Sequence, residues 1–187
     1  MPRMKPIVYS GIMSMFALLA VAADQAESPI YRSWAGAKIG TSVTHREVVV
    51  TKGVRVETTR KQTLTKRTDS KVVIDEEQFG VGASGEPEVL TSLSLDYNKA
   101  LFLLPGMTRE KIEKPGIDGK GGEETIKVAG KEYKAYWCET VAPTDHGPAT
   151  ARTWISGEVP GKVLRTSMKV PSADKIVTTE LIEVSVP

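Results

Sequence analysis

The sequence predicts a mainly β domain built on an antiparallel curved sheet or half-open barrel, with a β-sandwich as the alternative. Beyond residue 38, β-branched and apolar residues alternate with polar ones at a period of two, which is typical of strands. Turn signals rich in Gly, Pro and Asp recur at roughly 10 to 20 residue spacing. No segment between them has a convincing helical period, so we expect at most one or two short helices.

The chain begins with the pattern of an export signal. Arg3 and Lys5 precede an uncharged stretch over residues 7–23, in which Ala20-Val21-Ala22 has the A-x-A form of a cleavage site. A stretch of about 17 residues is short for a bilayer span, which favours cleavage over a retained anchor. We therefore expect residues 1–22 to be a cleaved signal peptide and the protein to be periplasmic or extracellular.

Residues 23–187 are then expected to form a single antiparallel β domain without an integral membrane segment. The signal holds two of the 25 basic residues and none of the 23 acidic ones, so the remaining chain has equal numbers of both. Such a neutral chain has no general electrostatic attraction for nucleic acid, and we predict no nucleic-acid partner. The single cysteine, Cys138, cannot form an internal disulfide. We expect it to be buried, and the alternative is a disulfide between two chains.

The elements follow in order along the chain. Ser28 and Pro29 predict the cap and first residue of a short helix that continues through Trp34. A meander follows, with a strand from residue 39 to a turn at 51–53, a strand from 54, a turn at 68–70 and a strand over 71–81. The later predicted strands cover residues 89–95, 124–129, 131–141, 149–156, 162–170 and 175–186.

Three segments depart from this regular pattern. Residues 98–104 form an apolar run that fits a strand or a short helix equally well. Residues 107–123 are polar and rich in Gly, Pro and Lys, which predicts an exposed loop. Residues 142–148 hold two prolines and a glycine and are expected to interrupt the strands.

Gly80 to Gly85 match the G-x-G-x-x-G pattern of dinucleotide-binding loops. That chemistry requires a helix N-terminus directly after the glycines to receive the pyrophosphate. Here Glu86-Pro87-Glu88 and a strand-like run follow, so we interpret the glycines as a hairpin loop and predict no cofactor. Residues 116–124 offer acidic side chains among glycines, as a calcium-binding loop does. The positive charge of Lys120 would repel a bound cation, so we predict a solvated loop instead of a calcium site.

The chain has two histidines, His45 and His146. With Cys138 they make three candidate ligands at distant positions, and zinc needs three or four ligands held together, so we predict no metal site. Cys138 and His146 are also the candidate nucleophile and base of a hydrolase. Asp145 adjoins His146 and is badly placed to orient its ring, so we predict no catalytic residues. His45 alternates with apolar residues and is expected on an inner face.

The three tryptophans, Trp34, Trp137 and Trp154, are the candidate ligand-binding residues. In a β domain such side chains usually anchor the core or the rim of a sheet. The alternative is that they line a concave pocket for an apolar ligand.

Residues 124–184 carry a recognisable order of elements. A strand with a Gly130 turn, the run Thr153-Trp154-Ile155-Ser156, the Val159-Pro160-Gly161 turn and two final strands resemble uncharacterised exported bacterial β proteins. The same order is distantly similar to periplasmic lipoprotein carriers of the LolA type. The resemblance implies a half-open barrel that cradles acyl chains. It transfers no functional residue, since only structural positions match, and this segment has no amphipathic helix to plug a barrel.

These observations predict an exported, non-enzymatic binding or accessory domain that holds an apolar ligand or another envelope protein on a concave sheet. One alternative is a structural or protein-interaction module without a small ligand, acting through sheet edges or through residues 107–123. The other is a hydrolase or metal enzyme that uses Cys138 and His146.

Overall fold

The computed structural model describes residues 25–82, 85–103, 107–113 and 120–187. The predicted signal peptide, residues 1–22, lies outside the described residues. Residues 116–119 of the calcium-like segment lie outside them as well. Within the described residues, neither helix is both long and apolar enough to cross a membrane.

Eleven strands and two short helices make up the described chain. The strands are β1 (Gln25–Glu27), β2 (Ser42–Thr51), β3 (Val54–Arg67), β4 (Lys71–Val81), β5 (Pro87–Asn98), β6 (Ala100–Phe102), β7 (Lys120–Val128), β8 (Lys131–Thr144), β9 (Gly147–Ile155), β10 (Val163–Val170) and β11 (Lys175–Ser185). The helices are α1 (Pro29–Trp34) and α2 (Arg109–Glu113), and a 3-10 turn spans Pro171–Ala173.

Nine of the strands form one antiparallel sheet in the order β5-β4-β3-β2-β11-β10-β9-β8-β7. Hairpins connect β2 to β5 in one run and β7 to β11 in another, and the two runs join where β2 pairs with β11. The sheet is curved and does not close into a barrel, which confirms the mainly β, antiparallel prediction. β1 and β6 pair separately as a two-stranded ribbon.

Most predicted elements occur where the pattern placed them. β4 spans the predicted residues 71–81, and the ambiguous segment 98–104 contains the short strand β6. A strand, β5, follows the Gly80–Gly85 motif, and the Gly82 N–H donates to the Glu86 carbonyl at 2.9 Å. The glycines therefore belong to a hairpin, as predicted.

Strand ends differ from the prediction by up to three residues elsewhere, as in β2 and β5, and three predicted loop or turn boundaries were wrong. The segment 107–123 is not all loop, because α2 covers residues 109–113 and β7 begins at Lys120. The β7–β8 turn consists of Ala129 and Gly130, one residue earlier than predicted.

The third wrong boundary is at residues 142–148, where β8 and β9 continue up to a tight turn at Asp145 and His146. Pro143 and Pro148 lie opposite each other there. The outer neighbours β7 and β10 pair only as far as Glu139 and Thr150. No third strand therefore lies beside either proline, and the lack of a proline N–H costs the sheet no hydrogen bond.

Helix α1 forms as its cap residues predict. The Ser28 side chain accepts a hydrogen bond from the Tyr31 N–H at 3.3 Å, and Pro29 occupies the first turn. At the other end, Arg67 on β3 donates to the carbonyls of Ala35 and Ala37 at 2.9 and 2.7 Å. These bonds hold the helix against one face of the sheet.

A large part of the core lies between α1 and this face, which we call the helix face. Its buried members include Tyr31, Trp34, Val43, Leu64, Ile74, Leu164 and Leu181. Side chains alternate between faces along a strand, so His45, which lines the space under α1, shares the helix face with its register partners on the neighbouring strands. Its neighbour Arg46 lies on the opposite, outer face.

Candidate functional site

A cavity of about 160 Å³, here called the helix cavity, separates α1 from the sheet. Ile30, Ser33 and Trp34 of α1 contribute to its walls. The sheet contributes His45, Arg60, Gln62, Ile74 and Tyr97, together with Val163 at the start of β10 and Gly161 just before it. Several polar side chains thus meet an otherwise apolar space, which is the general composition of ligand sites.

His45 is the most buried polar group of this wall, with 3% of its surface exposed. Its Nε2 lies 3.0 Å from the Val163 carbonyl oxygen. A carbonyl can only accept, so we assign the proton to Nε2 and an acceptor lone pair to Nδ1. Nδ1 is buried and has no hydrogen-bond partner among the described residues.

The surroundings of His45 keep it neutral. Burial lowers the pKa of His45 below its ordinary value of 6.5, and the nearby Arg60 guanidinium lowers it further. The Val163 hydrogen bond and the Glu76 carboxylate act in the opposite direction without reversing the shift. His45 is therefore an uncharged, buried member of the cavity wall.

Arg60 and Tyr97 bring donors to the same cavity. Arg60 lies opposite His45 on β3 and lines the cavity. Its guanidinium makes no hydrogen bond or ion pair with any described residue. Burial, and then the Glu76 carboxylate, raise the pKa of Tyr97 above 10.0, although Arg60 lowers it. The phenol therefore stays protonated and can donate. Glu76 itself accepts from Gln62 Nε2 at 2.7 Å.

Two further concavities adjoin the helix cavity along α1. A space of about 180 Å³ shares Ile30, Ser33 and Gly161 with it and adds the apolar side chains of Ile112 and Ile155. An open cleft of about 620 Å³ shares Ile155 and Lys162 with that second space. The cleft is further lined by Glu124, Lys134 and Tyr136, among others. Because these three spaces share lining residues, we call them together the helix groove.

The sheet separates the three predicted tryptophans. Trp34 is 1% exposed and lines the helix cavity. Trp137 and Trp154 lie opposite each other on β8 and β9. From Trp154 the register runs through Arg165 and Glu180 to Arg46, so both residues share the face of Arg46. Both are half-buried, and Trp154 packs against the core cluster from that side. The structure therefore brings two of them together and leaves the third on the other side.

Trp137 and Trp154 belong to a cluster that we call the Trp-Arg stack. The Arg152 guanidinium lies 3.8 Å from the ring centroid of Trp137 and 4.9 Å from that of Trp154. Arg152 also pairs with Glu124 at 3.5 Å, and Glu124 accepts the indole N–H of Trp154. The cation of the protein itself therefore occupies the electron-rich ring faces that a cationic or aromatic ligand would use.

Cys138 and His146 are far apart. Cys138 is buried within β8, and its burial raises the pKa of the thiol above 9.0. His146 is exposed in the β8–β9 turn, where its N–H donates to Thr144 Oγ1 at 3.2 Å. The strand from Cys138 to Thr144 alone covers about 20 Å at the usual rise per residue. The two side chains thus cannot act as a nucleophile and its base.

No three of the described His, Cys, Asp and Glu side chains are placed to hold one metal ion. Arg60, Gln62 and Tyr97 are absent from the predicted site, although one sequence signal does indicate Arg60. Arg60 shares a face of β3 with Val54, Val56 and Thr58. The alternation predicts an uncharged residue at this position, and Arg60 is charged. Nothing comparable indicates Tyr97, which reaches the cavity only through the β4–β5 pairing.

No protein-family model and no curated protein sequence matches this chain. Among solved structures, a candidate exported protein with a YmcC-like fold from Bacteroides fragilis matches with a TM-score of 0.50 at 7% identity, covering 80% of this chain and 97% of its own. The chain shares that fold. The match confirms, over a larger part of the chain, the resemblance to exported bacterial β proteins that residues 124–184 predict.

Two other solved structures are similar at lower scores. A candidate lipoprotein from Parabacteroides distasonis matches with a TM-score of 0.47 at 9% identity, covering 79% of this chain and 96% of its own. A chain of the MucA/MucB complex of Pseudomonas aeruginosa matches with a TM-score of 0.39 at 11% identity, covering 86% of this chain and 58% of its own.

Proposed function

We propose that this protein is an exported, non-enzymatic binding domain that holds an amphiphilic ligand in the helix groove. The observation that carries the proposal is the helix cavity, in which Arg60 lacks an ion-pair partner among the described residues. The adjoining space offers apolar walls from Ile30, Ile112 and Ile155. Arg32 and Lys162 also line it. A cation at one end and an apolar path leading away from it suit a ligand with an anionic head and a hydrocarbon chain.

Two further points support an exported binding role. The N-terminal pattern of Arg3, Lys5 and the A-x-A site is that of a signal peptide, and the Bacteroides protein with this fold is itself described as a candidate exported protein. The hydrolase alternative finds no support in the distance between Cys138 and His146. The proposed compartment is accordingly the bacterial periplasm or the exterior.

Among the three tryptophans, Trp34 is the proposed ligand contact, because its indole forms part of the cavity wall. Trp137 and Trp154 are proposed to stabilise the outer face through the Trp-Arg stack. A direct ligand role for either of them would require Arg152 to leave its position over the rings.

The proposal is tested by placing a charge on the apolar wall. Ile30 is 42% exposed and lines two of the three spaces, while Ile176 is 43% exposed and lines none of them. Displacement of a fluorescent fatty-acid analogue should give an affinity about tenfold lower for Ile30→Asp than for the matched control Ile176→Asp, because a carboxylate at Ile30 interrupts the apolar wall and repels the anionic head of the ligand.

Native mass spectrometry of the purified protein provides a second readout. A small amphiphile should remain bound and disappear after organic extraction. A protein that carries nothing, and whose two aspartate variants bind the analogue as well as the native chain does, contradicts the proposal.

A second candidate function rests on the edge strand β5. This strand has 12 residues, and Val89, Leu90 and Leu93 are 51%, 56% and 49% exposed. The opposite edge, β7, instead carries Lys120, Glu123 and Lys127. Charged residues commonly protect sheet edges from pairing, whereas a long apolar edge favours it. β5 could thus add a strand from another envelope protein to the sheet.

The edge hypothesis predicts that Leu93→Lys abolishes capture of an envelope protein by the immobilised domain. Thr125→Lys on the charged edge β7 is the control and should leave capture unchanged. Equal capture by both variants contradicts this second candidate.

A further inference from the structure

We infer that the free edge of β5 binds a basic amphipathic strand, in which lysine or arginine alternates with apolar residues. The inference rests on the edge hypothesis, the second candidate function, and names the chemistry of its partner. The relevant segment is residues 91–98, where β5 pairs regularly with β4. A bulge at Leu90 interrupts the pairing before this segment.

The side chains of this segment differ between the two faces of the sheet. Leu93 and Leu95 lie on the same face as Tyr97, which lines the helix cavity, so they belong to the helix face. The side chains on the outer face are short or acidic: Ser92, Ser94 and Asp96. A strand added to this edge would therefore meet leucines on one face and hydroxyl and carboxylate groups on the other.

The carboxylates of the outer face are largely without cations. Asp75 and Glu77 on β4 lie opposite Ser94 and Ser92 and form no ion pair with a described residue. The Ser94 hydroxyl donates to Asp75 Oδ1 at 2.6 Å. Asp96 pairs with Lys71 at 2.8 Å, and 58% of its side chain stays exposed. This face of the edge can therefore accept cations from a neighbouring strand.

The charge of the two edges of the sheet differs in the same sense. The outermost strands β4 and β5 hold five acidic residues and one basic residue, which is a net charge of −4. At the opposite edge, β7 and β8 hold four residues of each sign and are neutral. The β5 edge is therefore the acidic edge of this sheet.

An added strand would lie close enough to use these charges. It would be about 4.8 Å from β5 and about 10 Å from β4. Because Ser92 and Ser94 are short, a lysine or arginine on the outer face can extend over them towards Asp75 and Glu77. Opposite charges on neighbouring strands stabilise their pairing. The basic residues of β3 would be about 14 Å away, where salt largely screens them.

The same charges disfavour a second copy of this chain as the occupant. Pairing two β5 edges would bring two acidic edges together, and like charges on opposed strands are destabilising. Residues 88–98 contain no lysine, arginine or proline, which commonly protect sheet edges. The edge is thus open to pairing but not complementary to itself.

Three fluorescent heptapeptides test the inference by anisotropy: alternating Lys and Val, alternating Glu and Val, and the lysines and valines of the first grouped in two blocks. We expect the alternating basic peptide to bind about tenfold more tightly than either control, as two exposed ion pairs would give. The preference over the acidic peptide should shrink as NaCl rises from about 50 to about 500 mM.

Two N-methylated forms of the basic peptide test for strand addition. One carries N-methyl groups on its valines and the other on its lysines. Only alternate N–H groups of an added strand point towards β5. One form should therefore lose binding and the other should keep it. Loss in both forms, or in neither, would show adsorption by charge alone and would overturn the inference.

Protein variants locate the charges. Asp75→Asn combined with Glu77→Gln should remove the preference for the basic peptide over the acidic one. Glu132→Gln combined with Glu183→Gln is the matched control, because it removes two exposed carboxylates that lie away from β5, and it should keep the preference. Equal loss in both double variants would assign the preference to overall charge and overturn the inference.

The remaining outcomes separate this inference from the edge hypothesis. Equal affinities for the basic and acidic alternating peptides overturn the charge requirement but leave the edge hypothesis standing. Binding of neither peptide, together with equal capture of an envelope protein by Leu93→Lys and Thr125→Lys, overturns both. Self-association in analytical ultracentrifugation that Leu93→Lys abolishes would make a second copy the occupant and overturn the basic partner.

Discussion

The guanidinium carbon of Arg152 lies 3.8 Å from the ring centroid of Trp137, so a cation on β9 rests against an aromatic ring on β8. The same side chain reaches Trp154 and Glu124. Gly122 on β7 allows this packing, since a Cβ there would lie only 3.1 Å from the Trp137 indole nitrogen. The Trp-Arg stack thus links three strands at one end of the sheet.

Replacing Arg152 by Leu should lower the free energy of unfolding by about 1 to 3 kcal/mol, from two cation–π contacts and one partly exposed ion pair. Urea denaturation followed by tryptophan fluorescence measures the change. Arg46→Leu is the matched control, because Arg46 is exposed and reaches Glu180 only at 4.0 Å, and it should lose about 0.5 kcal/mol or less. Similar losses in both variants would show that the stack adds nothing to stability.

The buried His45 predicts a stability that depends on pH. Burial lowers the pKa of His45 in the folded protein below the 6.5 of the unfolded chain. The unfolded state therefore binds more protons, and stability rises with pH across this range. The contribution is complete above about pH 6.5 and is lost as the pH falls from there through the folded pKa.

Urea denaturation at several pH values between about 5 and 7.5 checks this, because ordinary carboxylates titrate mostly below that range. His45→Gln should flatten the dependence. His146→Gln, which changes an exposed side chain in the β8–β9 turn, should keep it. An unchanged slope in His45→Gln would assign the dependence to other groups.

The β7–β8 turn offers a stabilising substitution. Ala129 and Gly130 both have positive φ, 49° and 74°, as a two-residue type I′ hairpin turn requires. An alanine in this region is unfavourable by about 1 to 2 kcal/mol, while asparagine tolerates it better. Ala129→Asn should therefore raise the free energy of unfolding by about 0.5 to 1 kcal/mol.

Thermal or urea denaturation measures this gain, and Gly130→Ala is the opposite control. It should lower stability by about 1 kcal/mol or more, because it forces a second Cβ into the same backbone region. If Ala129→Asn gives no gain while Gly130→Ala is destabilising, then the strain is confined to Gly130.

Cys138 should react slowly in the folded protein. Its side chain is buried, and burial raises the pKa of the thiol above 9.0, so little thiolate is exposed at neutral pH. Ellman's reagent at pH 8 should modify the native protein about 100-fold more slowly than the urea-unfolded chain. In the native protein the sheet around Cys138 must open locally before the reagent reaches the thiol, whereas in the unfolded chain the thiol is already exposed. Rapid modification of the native protein would instead indicate an accessible, activated thiol and would favour the hydrolase alternative.

The local features of this fold could be predicted from neighbouring residues. Ser28 and Pro29 specify the start of α1, and period-two alternation specifies β4 at its observed limits. The polarity of residues 107–123 was misleading, because charged side chains on an edge strand face solvent and resemble those of a loop. Pro143 wrongly indicated the end of a strand. It lies past the end of the pairing between β7 and β8, where a residue without an N–H interrupts no hydrogen bonds between strands.

By itself, the sequence determined the elements of this protein: alternation decides which residues of one strand share a face, and turns decide which strands form hairpins. Only the tertiary structure decided how distant segments meet. Leu181 lies opposite His45 because the first and last long strands pair in the middle of the sheet. That pairing depends on the packing of α1 and the core, which no local pattern encodes. It places Trp34 on one face with Arg60 and Tyr97, and Trp137 and Trp154 on the other.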